Sequence, residues 1–329
     1  MEKVLVIGSN SFSGSSFTSY LIDNGFEVHG VSRSPQPVEA MCPYLWGKNP
    51  NQFKFYQIDL NEGLLDLLSL IKREKLGRIY NFAAQSMVGQ SWDIPEDWMR
   101  TNVLSFNMLL NRLLNVDFLE RYVHVTTPEV YGNTQGFVTE GAEFSPSTPY
   151  AVSRAAADMS INCFNKFKGF PFCGTRASNV YGPGQQLYRI IPKVIHSILS
   201  GQKMTLDGGG ISQRNFIHML DVSKATEKIM MDGKDGEYYH ISGKEMITIR
   251  SLVEKICDLM KANFYDHVEL GAERTGKDGF YMLDSQKLKK ELGWSDEISL
   301  EEGLNTVVDW MHHHWDSLKT TQTIYEHKK

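Results

Sequence analysis

A strand, a turn and a helix open the chain in the stretch Val4-Leu5-Val6-Ile7-Gly8-Ser9-Asn10-Ser11-Phe12-Ser13-Gly14. The four consecutive apolar residues before Gly8 suit a short strand that is buried on both faces of a parallel sheet. Helical character follows over residues 13–24. A tight turn between such a strand and a helix points backbone N–H groups towards a pyrophosphate, so the stretch predicts a dinucleotide-binding unit.

The glycine pattern of this turn is incomplete. Gly8 stands at the turn and Gly14 at the contact between helix and strand, but Ser11 occupies the place where a middle glycine is usual. Serine allows a ligand to approach less freely than glycine does, and the pattern alone would fit a structural turn nearly as well. Its place after the first strand favours the cofactor site. The residues predicted to contact the dinucleotide here are Gly8, Asn10, Ser11, Phe12, Ser13 and Gly14.

Strands and helices alternate through the first half of the chain, as a Rossmann-type doubly wound parallel sheet requires. Further strands are predicted at 27–31, 54–58, 78–82, 121–126 and 172–175, and further helices at 64–75, 98–116 and 148–168. We therefore predict an α/β fold with an NAD(P)-binding domain over residues 1–178, whose sheet is completed by later segments near 211–241. Residues 179–317 would form a smaller, interleaved C-terminal substrate lobe, and 318–329 a frayed polar tail.

Composition excludes several classes of protein. The 329 residues carry a net charge of -5 with a pI near 6.1, which gives no sign of a nucleic-acid or membrane surface. No apolar run is long enough to span a bilayer, and the first residues lack the pattern of a signal peptide. The cysteines show no C-x-x-C spacing: Cys42, Cys163, Cys173 and Cys257. We therefore expect a cytoplasmic protein with reduced thiols and no metal.

The end of the second predicted strand bears on the choice of cofactor. An acidic residue there would bind the ribose 2′-hydroxyl of NAD, but the chain has Ser32 and Arg33. These two residues suit a 2′-phosphate, which favours NADP slightly over NAD. Alternatively, Arg33 stacks over the adenine or faces solvent.

Tyr150 and Arg154 lie four residues apart at the start of a predicted helix, so their side chains share one face. A cation beside a tyrosine stabilises the phenolate, which can then act as a base towards a hydroxyl. Thr127-Pro128-Glu129 follows the strand predicted at 121–126, at the edge where doubly wound sheets place their chemistry. Separately, the pair would fit a contact on a helix surface and the tripeptide an ordinary turn. Together they predict a site that oxidises a sugar carbinol with a nicotinamide.

Five motifs resemble the extended short-chain dehydrogenase/reductases of the nucleotide-sugar epimerase/dehydratase family, and the likeness covers nearly the whole chain. They are Thr126-Thr127-Pro128-Glu129-Val130-Tyr131-Gly132, Ser147-Thr148-Pro149-Tyr150-Ala151-Val152-Ser153-Arg154, Arg176-Ala177-Ser178-Asn179-Val180-Tyr181-Gly182-Pro183-Gly184, Arg214-Asn215-Phe216-Ile217-His218 and Leu288-Lys289-Lys290-Glu291-Leu292-Gly293-Trp294. Within the family, residues 81–86 and 27–31 resemble GDP-mannose 4,6-dehydratases. Residues 129–132 and 274–278 are more similar to dTDP-glucose 4,6-dehydratases.

This resemblance implies a 4,6-dehydratase reaction on a sugar activated by a nucleoside diphosphate. Tyr150 would take the proton of the sugar 4-hydroxyl while hydride leaves C4, and Thr127 would hold that hydroxyl in line. Glu129 would remove the C5 proton once the 4-ketone has made it acidic, water would leave from C6, and hydride would return there. No net redox change occurs, so the cofactor is expected to stay tightly bound.

The resemblance also assigns binding residues. Beyond the glycine turn, Ser32 and Arg33, those for the cofactor are Asp59, Leu60, Phe82, Ala83, Ala84, Gln85, Thr101, Tyr150 and Arg154. Those for the substrate, with a GDP- or dTDP-linked sugar as the first guess, are Ser86, Asn179, Arg214 and Arg274. The arginines suit phosphate because a guanidinium fork matches its oxygens. A homodimer through the helices that include 148–168 is implied as well, and the run Ala155-Ala156-Ala157 would allow close helix approach.

Two departures from the family pattern keep alternatives open. Arg154 replaces the lysine of Y-x-x-x-K, and an arginine cannot release a proton at working pH. Pro128 replaces an aspartate of dTDP-glucose dehydratases, so Glu129 would have to serve both C5 and C6. Otherwise the enzyme is a 4-epimerase or a 4-oxidoreductase. A non-catalytic dinucleotide-binding protein is the alternative of another class, favoured by Ser11, Pro128 and Arg154.

Overall fold

The computed structural model describes residues 1–134, 136–272 and 282–327. The strands in these residues are β1 (Lys3–Ile7), β2 (Glu27–Ser32), β3 (Phe53–Gln57), β4 (Arg78–Asn81), β5 (Arg121–Thr126), β6 (Phe137–Val138), β7 (Phe172–Ala177), β8 (Asn179–Tyr181), β9 (Met204–Asp207), β10 (Gln213–His218), β11 (Tyr238–Ile241), β12 (Met246–Thr248), β13 (Val268–Gly271) and β14 (Met282–Leu283). The α-helices are α1 (Phe12–Asp23), α2 (Leu64–Glu74), α3 (Pro95–Met99), α4 (Phe106–Leu113), α5 (Pro149–Lys168), α6 (Ile190–Ser200), α7 (Met219–Asp232), α8 (Ile249–Leu259), α9 (Phe264–His267), α10 (Gln286–Leu292), α11 (Leu300–His313) and α12 (Trp315–Leu318).

A seven-stranded parallel sheet in the order β11-β7-β5-β4-β1-β2-β3 confirms the predicted Rossmann-type α/β class. The strand order reverses between β1 and β4, the switch point at which such folds open a crevice for ligands. Successive residues of a strand face opposite sides. Val4 and Val6 share an apolar core with residues of α1 and α7, whereas Leu5 and Ile7 share another with residues of α2 and α4. Burial on both faces explains the continuous apolar run of β1.

The helix predicted at 98–116 is not a uniform α-helix. Residues Arg100–Ser105, between α3 and α4, wind as a π-helix. The buried Asn102 accounts for this position: its Oδ1 accepts from the N–H of Gln85 at 2.9 Å, and its Nδ2 donates to the carbonyl of Gln85 at 3.0 Å and to Oγ of Ser153 at 2.9 Å. These three bonds to distant residues fix Asn102 in place. Wider turns of this kind are frequent at functional sites, and no sequence periodicity signals them.

The later part of the chain forms smaller units around a separate apolar core of α6, α8 and α11. Strand β10 pairs with β8 and β12, β9 with β13, and β6 with β14. Strand β11 instead returns to the large sheet and pairs with β7. Among the described residues, no helix is both long and apolar enough to cross a membrane.

The tail differs from the frayed segment that the sequence predicts. Leu318 is fully buried, and two later residues, Tyr325 and His327, contact distant parts of the protein. The ring of Tyr325 meets that of Tyr188 edge to face at 5.4 Å. His327 stacks on Trp98 at 4.9 Å and lies 2.7 Å from a carboxylate oxygen of Asp97. Aromatic contacts of this kind offset the conformational entropy that keeps most termini mobile.

Candidate active site

A cavity of about 630 Å³ opens where several strands of the large sheet end. Its size lies within the range of pockets for small-molecule ligands and cofactors. Most of the residues predicted for the cofactor line it: Gly8, Asn10, Ser11, Ser32, Arg33, Asp59, Leu60, Phe82, Ala83, Ala84, Gln85 and Thr101. Of the same predicted set, Phe12, Ser13, Gly14, Tyr150 and Arg154 are not part of its lining.

The turn after β1 is built for close approach of backbone groups. Gly8 has φ +86°, and a Cβ there would lie 2.7 Å from the amide nitrogen of Ala83. A Cβ on Gly14 would lie 2.2 Å from the carbonyl oxygen of Gly8. Ser11, the departure in the glycine pattern, caps α1: its hydroxyl donates to the carbonyl of Gly8 at 2.7 Å and accepts from the N–H of Gly14 at 3.1 Å. Its side chain therefore closes the turn.

Sequence reasoning missed part of the cavity wall. The additional lining residues are Ile7, Val31, Ser34, Pro35, Gln36, Pro37, Val38, Ile58, Asn61 and Gln186. The loop after β2 is held against the turn by Asn10, whose Nδ2 donates to the carbonyls of Ser34 at 3.0 Å and Pro35 at 3.1 Å. The turn residues Ser34-Pro35-Gln36-Pro37, directly after the second strand, were the available signal.

Thr127, Glu129 and Tyr150 come together beyond the end of β5. Thr127 caps the 3-10 turn Pro128–Tyr131 by accepting from the N–H of Glu129 at 3.3 Å. Pro128 is the first residue of this turn, where its missing N–H costs nothing. Tyr150 lies in the first turn of α5 and is 8% exposed. Its phenol shares a hydrogen bond with the Thr127 side chain.

Burial raises the pKa of Tyr150, and this effect outweighs the opposing influence of the nearby cation. Arg154 and the Thr127 bond lower the pKa, while the charge of Glu129 raises it. Arg154 therefore acts on the pKa of Tyr150 in the direction that the sequence analysis expects, and burial is the larger, opposing effect. Arg154 is 3% exposed, and its guanidinium donates to the carbonyl of Val125 at the end of β5.

A short relay of side chains connects this cluster to the cavity. Gln85 lines the cavity and is bonded through its backbone to Asn102. Asn102 donates to Ser153 at 2.9 Å, and Ser153 donates to the carbonyl of Tyr150 at 2.7 Å. The first turn of α5 is thus fixed relative to the cavity wall.

Two of the predicted substrate residues lie on neighbouring strands. Asn179 and Arg214 lie on the paired strands β8 and β10, in which Asn179 is opposite Phe216. The side chain of Asn179 donates to the carbonyl of Asn215 at 3.1 Å. Ser86 is exposed, one residue beyond the cavity lining. Arg274 lies outside the described residues.

Known proteins place the chain in a family. A family model described as GDP-mannose 4,6 dehydratase matches residues 5–307. The chain belongs to this family. A dTDP-glucose 4,6-dehydratase of Streptomyces antibioticus is 30% identical over 328 residues, which cover 96% of this chain and 95% of that protein. The crystal structure of a dTDP-glucose 4,6-dehydratase of Streptomyces venezuelae, solved with NAD, has a TM-score of 0.87 at 29% identity and covers 96% of this chain and 98% of that one.

A longer relative is a trifunctional UDP-glucose 4,6-dehydratase, 3,5-epimerase and reductase of Arabidopsis thaliana. It is 32% identical over 278 residues, which cover 82% of this chain but 41% of that protein. The chain therefore spans about two fifths of the length of that relative. The resemblance to nucleotide-sugar dehydratases and epimerases is confirmed at the level of the GDP-mannose 4,6 dehydratase family.

The cavity of this family member fits an NAD(P) cofactor. A side chain on Gly8 would collide with the backbone of Ala83, so the turn leaves its backbone open to a ligand. The 12-residue helix α1 begins beside it and presents N–H groups and a positive dipole end, as a pyrophosphate requires. Ser32 at the end of β2 and Arg33 directly after it, rather than a carboxylate, line this part of the wall.

Proposed function

We propose that the protein is an NAD(P)-dependent nucleotide-sugar 4,6-dehydratase. One observation carries the proposal: a threonine, a carboxylate and a buried tyrosine converge beside a cavity suited to a dinucleotide. The side chains of Thr127 and Tyr150 share a hydrogen bond, and the negative charge of Glu129 raises the pKa of Tyr150. Membership of the GDP-mannose 4,6 dehydratase family and the dTDP-glucose 4,6-dehydratase relatives support the same activity.

Tyr150 accepts the proton of the sugar 4-hydroxyl, which Thr127 holds in line. Bound NAD(P) supplies the acceptor for the C4 hydride, its later donor to C6, and a positive ring charge that opposes the effect of burial on Tyr150. Arg154 adds a permanent charge, but it cannot pass on a proton. Proton release from Tyr150 therefore needs a path that does not run through Arg154.

Glu129 performs two proton transfers. It removes the C5 proton, which the 4-ketone has made acidic, and the resulting carboxylic acid protonates the hydroxyl that leaves C6 as water. Pro128 has no ionisable group, so it cannot share the task. As hydride returns to C6, one proton from solvent enters C5, and the proton that Tyr150 took from the 4-hydroxyl is released to solvent. The product is therefore a 4-keto-6-deoxy sugar that carries a solvent-derived hydrogen at C5.

The substrate is proposed to be a sugar linked to dTDP, GDP or UDP. Asn179 and Arg214, on adjacent strands, would contact its diphosphate together with Arg274, while Ser86 would reach the sugar. A guanidinium fork matches phosphate oxygens in geometry and charge.

The finer choice of cofactor is proposed to be NADP. Ser32 and Arg33 line the cavity at the end of β2. Ser32 Oγ accepts from the N–H of Asn10 at 2.9 Å, which leaves its own proton for a phosphate oxygen. Arg33→Ala should weaken NADP binding more than NAD binding. Equal affinities of the wild type for the two dinucleotides would contradict the preference.

A homodimer is proposed through α4 and α5. Exposed apolar side chains follow one stripe of α5 at Val152, Met159 and Phe167. Their spacing of about two helical turns places these side chains on one face. Two further exposed apolar residues are Leu104, in the π-helical segment, and Met108, on α4. The run Ala155-Ala156-Ala157 can contribute less to this interface than the sequence suggests, because Ala155 and Ala157 are already buried within the subunit. The cytoplasmic location stays a prediction.

Incubation with dTDP-glucose, UDP-glucose and GDP-mannose in heavy water tests the activity. We expect loss of one water and one solvent deuterium at C5 for at least one of these sugars. Tyr150→Phe should abolish the reaction, while Tyr239→Phe, at a buried tyrosine of β11, should not. An unlabelled isomer of unchanged mass would indicate a 4-epimerase, and a 4-keto sugar that retains its water a 4-oxidoreductase. Cofactor binding without any turnover would indicate a non-catalytic dinucleotide-binding protein.

A further inference from the structure

A chain of buried polar side chains lies against the catalytic turn, and the proposed reaction uses none of them. Its members are at most 3% exposed and come from five different elements: His124, Tyr131, Asp158, Arg176 and His240. Arg176 opens the motif in which the resemblance assigned a role to Asn179 alone.

At the His240 end of this chain of side chains, each proton can be assigned to one atom. Nδ1 of His240 lies 3.1 Å from the carbonyl oxygen of Val138, which can only accept, so Nδ1 carries the proton. Burial lowers the pKa of His240 to about 3, so the ring is neutral and its Nε2 accepts. The Tyr131 hydroxyl therefore donates to His240 at 2.8 Å and accepts from Arg176 at 3.0 Å.

At the Asp158 end, the hydrogen-bond donors can be assigned in the same way. Arg176 donates to Oδ2 of Asp158 at 2.8 Å, and Nε2 of His124 lies 3.0 Å from Oδ1. Burial lowers the pKa of His124, so its neutral ring donates from Nε2 to the carboxylate. The guanidinium of Arg176 also lies 4.0 Å from the ring centre of Tyr238, which fixes its plane.

This chain of buried side chains joins the two segments that carry the reacting groups. Tyr131 ends the turn Pro128–Tyr131, two residues after Glu129. Asp158 lies on α5, one helical turn beyond Arg154 and two beyond Tyr150. Arg176, on β7 between them, bonds to both segments.

Stability is a poor explanation for such an arrangement. Buried ion pairs are on average no more stabilising than apolar side chains of similar volume. Arg176 Nε and His124 Nδ1 also have no hydrogen-bond partner among the described residues, so the cost of burying them is not fully offset. What a polar network with one arrangement provides is a fixed geometry.

We propose that Arg176, bonded to Tyr131 and Asp158, is a positioning residue that sets Glu129 relative to Tyr150, so that C5 deprotonation follows 4-oxidation. The inference rests on the proposed dehydratase function and deepens it. Tyr131 and Asp158 act with Arg176 as positioning groups and touch neither substrate nor cofactor.

Tyr131→Phe tests the proposal because it removes one hydroxyl and leaves the ring. We use whichever of dTDP-glucose, UDP-glucose and GDP-mannose the wild type converts. Formation of reduced cofactor, followed by its absorbance, should stay within about twofold, whereas deuterium entry at C5 should fall by ~10–100-fold, as small displacements of a catalytic group do. Reduced cofactor should therefore accumulate. Tyr239→Phe, which removes a bonded buried hydroxyl from the residue next to His240, should retain both rates.

An equal loss of both steps, or a similar loss in Tyr239→Phe, would mean a general structural role and would overturn the inference. Unchanged rates in Tyr131→Phe would overturn it as well. His240→Asn is a milder variant: it keeps a donor for Val138 but removes the acceptor of the Tyr131 hydroxyl, and it should give the same split with a smaller fall.

Amide hydrogen exchange separates this inference from the proposed function. In the cofactor-loaded protein, Tyr131→Phe should raise exchange at Glu129, Gly132 and Ser145, whose N–H groups bond to or within the turn. Tyr239→Phe should leave these amides unchanged. If the wild type converts no sugar, the proposed function fails. The structural part of the inference, that the bond between Arg176 and Tyr131 holds the turn carrying Glu129, is then tested by this exchange alone.

Discussion

At the level of single residues, Arg154 differs most clearly from its family pattern. Its guanidinium is buried, donates to the carbonyl of Val125, and lowers the pKa of Tyr150 against the larger effect of burial. Because arginine keeps its proton, it acts on Tyr150 through charge alone. Family members with a lysine there have a group that can also lose a proton.

Arg154→Met should move the pH profile of 4-oxidation to higher pH. The base must be deprotonated to act, so its rate rises with pH through the pKa of Tyr150. Burial and Glu129 raise that pKa, and removing Arg154 leaves both unopposed by its charge. Arg154→Lys keeps the charge and should retain a profile close to the wild type. Measurement of kcat/KM for cofactor reduction as a function of pH tests this shift. An unshifted profile in Arg154→Met would contradict this account.

Glu129→Gln should separate the two halves of the reaction. The amide keeps the size of the side chain but cannot take the C5 proton, so solvent exchange at C5 should fall by ~10²–10⁴-fold. Reduction of the cofactor should persist, because Tyr150 is intact. Stopped-flow absorbance and mass spectrometry of the sugar measure the two halves. Full C5 exchange in this variant would mean that another group is the base.

Among the elements, the turn from β1 into α1 sets the cofactor site. Ser11 supplies both a cap for α1 and a bond to the carbonyl of Gly8. Its departure from the usual glycine thus has a local structural reason. Gly14, in contrast, cannot carry a side chain without a clash, because the Gly8 carbonyl occupies the space of its Cβ.

Gly14→Ala should lower the free energy of unfolding by ~1–3 kcal/mol, in the range of overpacked sites. The added Cβ would lie 2.2 Å from the carbonyl oxygen of Gly8 and 2.9 Å from Oγ of Ser11. Gly141→Ala is the matched control, since a Cβ there would meet no atom within 4 Å. Urea titration measures both variants, and equal midpoints would contradict the described turn.

The C-terminal segment is the second informative element. Deletion of residues 323–329 removes Tyr325 and His327, and with them the ring that stacks on Trp98. We expect a red-shifted emission from Trp98 and a loss of stability of ~0.5–1.5 kcal/mol, the range for aromatic pairs. The emission change should vanish in a Trp98→Phe background. An unchanged spectrum after deletion in the otherwise wild-type chain would show that the tail does not cover Trp98.

At the scale of the whole molecule, the exposed apolar stripe of α5 is the surface through which we propose that two copies of the chain associate. Met159→Glu should shift the protein from dimer to monomer, because a buried unpaired carboxylate opposes association. Met159 is 60% exposed within the subunit. Ile211→Glu, at a residue that is 72% exposed and off the stripe, should leave the dimer intact. Light scattering after gel filtration measures both, and a monomeric wild type would contradict the proposed interface.

The sequence by itself determined the order of the strands along the chain, the glycine turn and the shared helix face of Tyr150 and Arg154. These features follow from local periodicity and from steric rules that act within a few residues. The lining at the glycine turn was predictable for the same reason, because carboxyl ends of parallel strands meet at one edge. The later lining residues were assigned by the family resemblance and not by local pattern.

Only the tertiary structure decided the raised pKa of Tyr150, the π winding around Asn102 and the return of the tail to Trp98. It also created the buried link between Tyr131 and Asp158 through Arg176. Each of these depends on desolvation or on bonds between residues far apart in the chain. Such energies arise only once packing has removed water, and no short stretch of sequence contains them.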